Sequence, residues 1–335
     1  MTWANILPQT MNEKQLNEYL NGPSAMILSG IAMLVTVVAT IHSGDMPPLY
    51  TGHGVFFNLF QGSGASVWFN VANAVAVVGV VVLLVLLNKV FNFIRDLTYS
   101  FGTAYFLLTI ANPLSACSFN IGTFMALLFL AGTFIMFFAY ENQKSQNIVF
   151  LTFAALSFGT MFQWAFAFLI PAFLLGFCYV RAMNFKSFLA MLLGLVVPYW
   201  IVLGLGLVTF SDFKPLEINT LWTSFQLSQT RLMVVCVAIV ALTTIILSIT
   251  NLVSIYAYRL QLRVYNAYFI FVSAIVLIAM CVVFRDMMLF LPLLNVCLAI
   301  QVGHAFSISK SQKRYIPMLL MIVLCITSCI SIIIL

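Results

Sequence analysis

Charge is what this chain has least of. Only 7% of its 335 residues are Asp, Glu, Lys or Arg, and eight of them are acidic. Ordinary globular domains carry about a quarter charged residues. With 63% hydrophobic residues and a mean hydropathy of +1.11, a soluble globular fold is excluded. Alternating ten-residue segments are also missing, and these are the mark of a membrane β-barrel. The apolar runs are continuous instead, as over residues 74–87 and 232–247. In hydrocarbon every backbone polar group must be satisfied internally, so such runs predict helices. The expected fold is all-α, a polytopic transmembrane helical bundle.

Other absences narrow the function. The seven cysteines include no CxxC pair and no Cys/His cluster, so neither a disulfide framework nor a metal site is expected, and no cofactor is implied. Residues 1–23 are polar and of mixed charge, without the apolar core of a cleavable signal. They are expected to form a cytoplasmic or interfacial segment ahead of one membrane domain, residues 24–335. The net charge of +6 does not point to nucleic acid, because the cations are scattered singly between apolar runs. Almost no ionisable residue falls in the middle of a run, which argues against an ion or proton pathway.

The cations act as topology determinants. Apolar runs bounded by charge, Pro, Gly and Asn predict eleven spans: 24–41, 67–87, 97–110, 121–139, 148–162, 164–180, 188–210, 232–253, 267–284, 287–300 and 315–335. Residues 148–180 read either as one helix or as two. One helix there would be about 50 Å long, well beyond the hydrocarbon core. Two spans place Lys14, Lys89, Arg95, Lys144, Arg181, Lys186, Arg259, Arg263, Lys310, Lys313 and Arg314 on one side. They leave Lys214, Arg231 and Arg285 on the other, eleven against three, whereas fusing the two gives seven against seven. The positive-inside rule therefore predicts the split, with the N-terminus cytoplasmic and the C-terminus periplasmic. Pro171, Pro198 and Pro292 lie inside spans, and Gly194, Gly204 and Gly206 suit close helix packing.

Polar groups within or near the spans are Asn70, Asn73, Gln163, Asn251, Asn295, Gln301 and His304. Asn70 and Asn73, three residues apart, share one face near the outer end of the second span. They fit either interhelical hydrogen bonding or a polar pocket lining. Three outer loops gather Asp45, His53, Asp212, Glu217, Arg231, Arg285 and Asp286. A carboxylate beside a lipid pathway, with guanidinium groups to hold a phosphate, is what sugar transfer from a lipid carrier requires. That chemistry would use Asp45 as general base. Arg231 and Arg285 would hold phosphate, with His53, Asn70 and Asn73 as further substrate contacts.

Several stretches resemble a family of multi-pass inner-membrane proteins of Bacteroidetes-type bacteria, a domain of unknown function. They are Leu87-Asn88 through Arg95, Pro113 with residues 121–140, Phe185-Lys186 and Leu193-Gly194-Leu195-Val196-Val197-Pro198-Tyr199. Phe284-Arg285-Asp286, and Gly303-His304-Ala305-Phe306 followed by Lys313-Arg314, continue the match over about two thirds of the chain. The resemblance implies a bacterial inner-membrane location and a multi-pass topology, not an activity. More loosely, the layout is similar to multi-pass glycosyltransferases that use polyprenyl-phosphate sugars, with Asp45 standing where their first-loop acid would be. It departs from them in lacking a paired acid, since Met46-Pro47-Pro48 follow.

Three functions fit. One is a role in envelope glycoconjugate assembly on a polyprenyl-phosphate-linked substrate. The second is a non-catalytic subunit whose surface docks a membrane protein partner in the lipid bilayer. The third is a transporter or flippase with a polar groove lined by Asn70, Asn73, Asn251 and Asn295.

Overall fold

A computed structural model describes residues 22–43, 67–93, 99–112, 120–142, 144–208, 228–254, 259–283 and 287–308. Among these there is no strand. In chain order the helices are α1 (Pro23–Ser43), α2 (Val67–Phe91), α3 (Ser100–Ile110), α4 (Ile121–Phe138) and α5 (Gln146–Phe162). A 3₁₀ turn (Trp164–Phe168) leads into α6 (Leu169–Tyr179), followed by α7 (Phe185–Gly204), α8 (Ser228–Ser254), α9 (Leu260–Val282) and α10 (Met287–Ile308). Five of them, α2, α4, α7, α9 and α10, are long and apolar enough to cross a membrane.

Local chemistry sets the boundaries. Asn120 and Asn184 cap α4 and α7, their side-chain oxygens each accepting from a backbone N–H at 2.8 Å, those of Gly122 and Ser187. This is the bond an Asn N-cap supplies to an otherwise orphaned donor. Helix α5 stops where Gln163 turns extended, at φ −152° and ψ 123°.

Helix α10 is the axis of the bundle. It packs on α3, α4, α8 and α9, and 94% of its apolar window is buried. Helix α7 is peripheral and lies along α5, its most extensive contact. Gly194 makes that approach possible, because a Cβ there would stand 2.6 Å from the Phe150 carbonyl oxygen. The Ser157 hydroxyl donates to the Leu195 carbonyl at 2.7 Å across the same seam. Gly204 and Gly206 depart from the packing expectation. Neither has a close neighbour, and Gly206 instead takes φ +67°, where a side chain would be strained.

Ring contacts fix the directions of α2, α3, α4, α9 and α10. Phe93 and Phe101 both meet His304, at 5.8 and 6.3 Å between centroids. Tyr265 stacks on Phe137 at 3.9 Å. The last turns of α2, α4 and α10 and the first turns of α3 and α9 therefore share one end. At the other end Asn112, after α3, and Asn120, before α4, both reach Met288 in the first turn of α10. The split of residues 148–180 is present: Glu141 N–H donates to the Val180 carbonyl at 2.9 Å and Ser145 Oγ to the Ala182 carbonyl at 3.3 Å. Chain entering α5 and chain leaving α6 thus meet, and the pair is a hairpin with its tip at Gln163.

Lys89, Lys144, Arg181, Lys186, Arg259 and Arg263 all sit at the first end, where Glu141 lies 3.8 Å from Arg181. Desolvation, with Glu141 beside it, pushes the Tyr140 phenol there above its ordinary value. Polarity is inverted relative to a soluble protein. Outward stripes are apolar, such as Val71, Val75, Val78, Val82 and Leu86 on α2, while Asn73, Thr133, Asn266, Gln301 and His304 are fully buried.

The span expected at 97–110 is represented by the eleven residues of α3, about 17 Å long. The span expected at 315–335 lies outside the described residues. Pro198 and Pro292 sit inside α7 and α10, whereas Pro171 falls in the first turn of α6, which tolerates it.

Candidate functional site

Helices α2, α3, α10 and α4 form a ring, each touching the next. Their arrangement places asparagines at one level, near the end opposite the cations. Helices α2 and α3 run antiparallel, with Val81 facing Gly102, so Asn73 falls level with Ile110, the last residue of α3. Asn70 lies one turn further, on the same stripe. Asn112 follows α3 and donates to the Met288 sulfur at 3.6 Å, and Asn120 donates to the Met288 carbonyl at 3.3 Å. Asn73, Asn112 and Asn120 are 0%, 9% and 4% exposed.

The Met288 carbonyl is available for a reason. Residue 292 is proline, so the N–H that would bond to it within α10 does not exist. Asn120 supplies the replacement while its own oxygen caps α4. Asn295, two turns beyond Met288 on the same face of α10, is 2% exposed, and its side-chain oxygen has no protein partner. The Asn70 oxygen is buried and likewise without one.

On the outward side of α2 and α4 runs a groove of about 550 Å³, closed on its far edge by α5 and the 3₁₀ turn. Ala72, Phe124, Leu128, Ala131, Phe158, Phe162 and Phe166 are among its walls, which are apolar throughout. It starts at Ile121 and reaches Ala131, about 15 Å along α4. Its end at Ile121 is level with the asparagines, Ala72 being the chain neighbour of Asn73 and Ile121 of Asn120.

Of the residues singled out from sequence, Asn70 and Asn73 lie three apart in the first two turns of α2, at the end opposite the six cations, and belong to this level. Asp45, His53 and Arg285 lie outside the described residues. Arg231 falls in the first turns of α8, which packs on α9 and α10 and away from the groove's helices. Its side chain is outside the described set. The four asparagines proposed to line one polar groove do not come together. Asn251 belongs to a separate cluster nearer the basic end, where it donates to the Gln301 carbonyl at 3.0 Å. In that cluster Ser248 donates to Gln301 Oε1 at 2.8 Å and Gln301 Nε2 donates to Ser273 at 3.4 Å. This cluster spends its polar capacity on holding α8, α9 and α10 together. His304 is buried between Phe93 and Phe101 at the same end.

Sequence reasoning missed the groove and the roles of Asn112 and Asn120. The Asn120-x-Gly122 N-cap was the one local signal that could have marked Asn120. Among the described residues no group of His, Cys, Asp or Glu could hold a metal ion. No family model, curated protein or solved structure matches the chain.

Proposed function

We propose that this chain is a multi-span protein of the bacterial inner membrane that holds the hydrocarbon tail of a polyprenyl-phosphate-linked substrate in the groove of α2, α4 and α5, in envelope glycoconjugate assembly. The observation that carries the reading is the groove: a 550 Å³ space with entirely apolar walls, toward the end opposite the six cations from Lys89 to Arg263. A neutral, elongated and laterally open cleft of this kind suits a lipid chain rather than a polar solute. The eleven-span topology with a cytoplasmic N-terminus draws support from the six cations gathered at one end. On that orientation the groove faces the outer leaflet. The flippase reading loses its motivating feature, since Asn251 is engaged away from Asn70 and Asn73.

The tail site is tested by photocrosslinking with a diazirine-bearing polyprenyl phosphate in nanodiscs. Ala131→Trp and Ala155→Trp fill the groove from two walls. Each is expected to cut crosslinking by about tenfold, the equivalent of forfeiting one large buried apolar group. Unchanged crosslinking in both variants would sink the proposal. Orientation is checked separately with Lys144→Cys in a cysteine-free background. A membrane-impermeant maleimide should label it in inverted vesicles and not in intact spheroplasts; the reverse pattern rejects the topology.

A further inference from the structure

We infer that the groove has a fixed depth: it takes about the first three isoprene units next to the phosphate, and the rest of the tail turns out into lipid at Ala131 and Ala155. This rests on the tail reading above and adds which part of the tail is held, and in which direction.

Described helices set both ends of the groove. Its mouth is where Ile121 opens α4 and Phe162 closes α5, at the end of the bundle opposite the six cations. Its floor is a packing seam. Helices α4 and α5 run antiparallel, and the residue after Ala131 is Gly132, which lies opposite Thr152. A Cβ on Gly132 would stand 2.8 Å from the Phe173 ring and 3.5 Å from Thr152 Cγ2. Helices α4, α5 and α6 therefore meet there without room for a methyl group. Phe173 is fully buried, with Phe129 packed on it at 5.7 Å, so the seam is closed from behind. Between seam and mouth the facing residues include Ala131 on α4 and Ala155 and Gly159 on α5, and these small side chains leave the space open.

Length decides how much tail fits. The walls run about 15 Å along α4, from Ile121 to Ala131. This is about half the thickness of the hydrocarbon core. An extended isoprene unit puts four carbons into the main chain and advances about 5 Å with C–C bonds near 1.5 Å, so about three units fill the depth. Charge decides the direction. A phosphate is costly in hydrocarbon and apolar walls offer it no partner, so it stays at the mouth. Units beyond the third meet the seam and leave through the open side of the groove.

The test uses the full chain in lipid nanodiscs and three polyprenyl phosphates of equal length. Each carries one diazirine, in the first, third or sixth unit from the phosphate, and crosslinked residues are mapped by mass spectrometry. The first-unit probe should mark Ile121, Phe124 or Phe162, and the third-unit probe Ala131 or Ala155. The sixth-unit probe should give few groove adducts, because that unit lies among lipid. Ala131→Leu raises the floor. It should cut third-unit crosslinking by about tenfold, for the lost burial of one unit, and leave first-unit crosslinking unchanged. Ala155→Leu should do the same from the facing wall, and thermal unfolding checks the fold of both. Equal groove labelling by all three probes, or marks in the reverse order, overturns the fixed depth while the tail site stands. So does a loss of first-unit and third-unit labelling together in a variant that unfolds like the wild type, since the groove would then have no separate floor. No groove adduct from any probe removes the tail site as well.

Discussion

Gly122→Ala is expected to lower the unfolding temperature sharply, although it adds a single methyl group to a helix. Normally that change is favourable, since alanine is the better helix former by about 1 kcal/mol. At this position the new Cβ would fall on the Leu289 carbonyl oxygen and stand 2.9 Å from the Asn120 side-chain oxygen. Neither neighbour is the free end of a flexible side chain. One is the backbone of the central helix and the other is the cap that starts α4. Relief requires α4 to move away from α10, opening the most buried seam of the bundle, at a cost on the order of 3 kcal/mol. Gly30→Ala is the matched control. Its Cβ would meet the Phe106 ring at 3.4 Å, an ordinary contact, so the helix propensity should prevail. Thermal unfolding in one detergent should move the two variants in opposite directions. A Gly122→Ala protein as stable as the wild type would show that α4 and α10 are not held this closely.

The second large effect belongs to Asn120, which holds two helices with one amide. Asn120→Ala removes the cap on Gly122 N–H and leaves the Met288 carbonyl buried without a donor. The cap is worth about 1 kcal/mol and the orphaned carbonyl about 1–3 kcal/mol, so a loss of roughly 3 kcal/mol is expected. The two contributions separate in a double-mutant cycle with Pro292→Ala. That substitution restores an N–H at residue 292, which can bond to Met288 within α10. In this background Asn120→Ala should cost only the cap, and a coupling of about 1 kcal/mol or more should remain between the two sites. Simple additivity would mean that Asn120 does not serve the carbonyl that Pro292 frees.

Much of the architecture was legible because it follows from one-dimensional constraints. The hairpin of α5 and α6 followed from length and charge placement, two quantities that need no knowledge of contacts. Asn70 and Asn73 were assigned to one face by their spacing alone, and that face meets α3. The groove was hidden for a physical reason. Phe124, Leu128, Ala131 and Phe158 are the residue types of any lipid-facing wall, and only the placement of α5 against α4 makes them enclose space. Asn112 and Asn120 were equally silent. Their importance comes from Met288, about 170 positions further along the chain. The reading of three glycines as packing residues succeeded only for Gly194, because chain position does not reveal whether another helix lies opposite.

The brevity of α3 has a consequence for how the protein is made. A segment enters the bilayer unaided when it offers about 20 apolar residues, and the eleven of α3 fall well short. Eight of those eleven are buried, against neighbours that include α10, which is synthesised far later. By length alone, helix α3 is therefore not a self-sufficient unit of insertion. It is enclosed by α1 and α2, made before it, as well as by α10, made long after, so its burial draws on both halves of the chain.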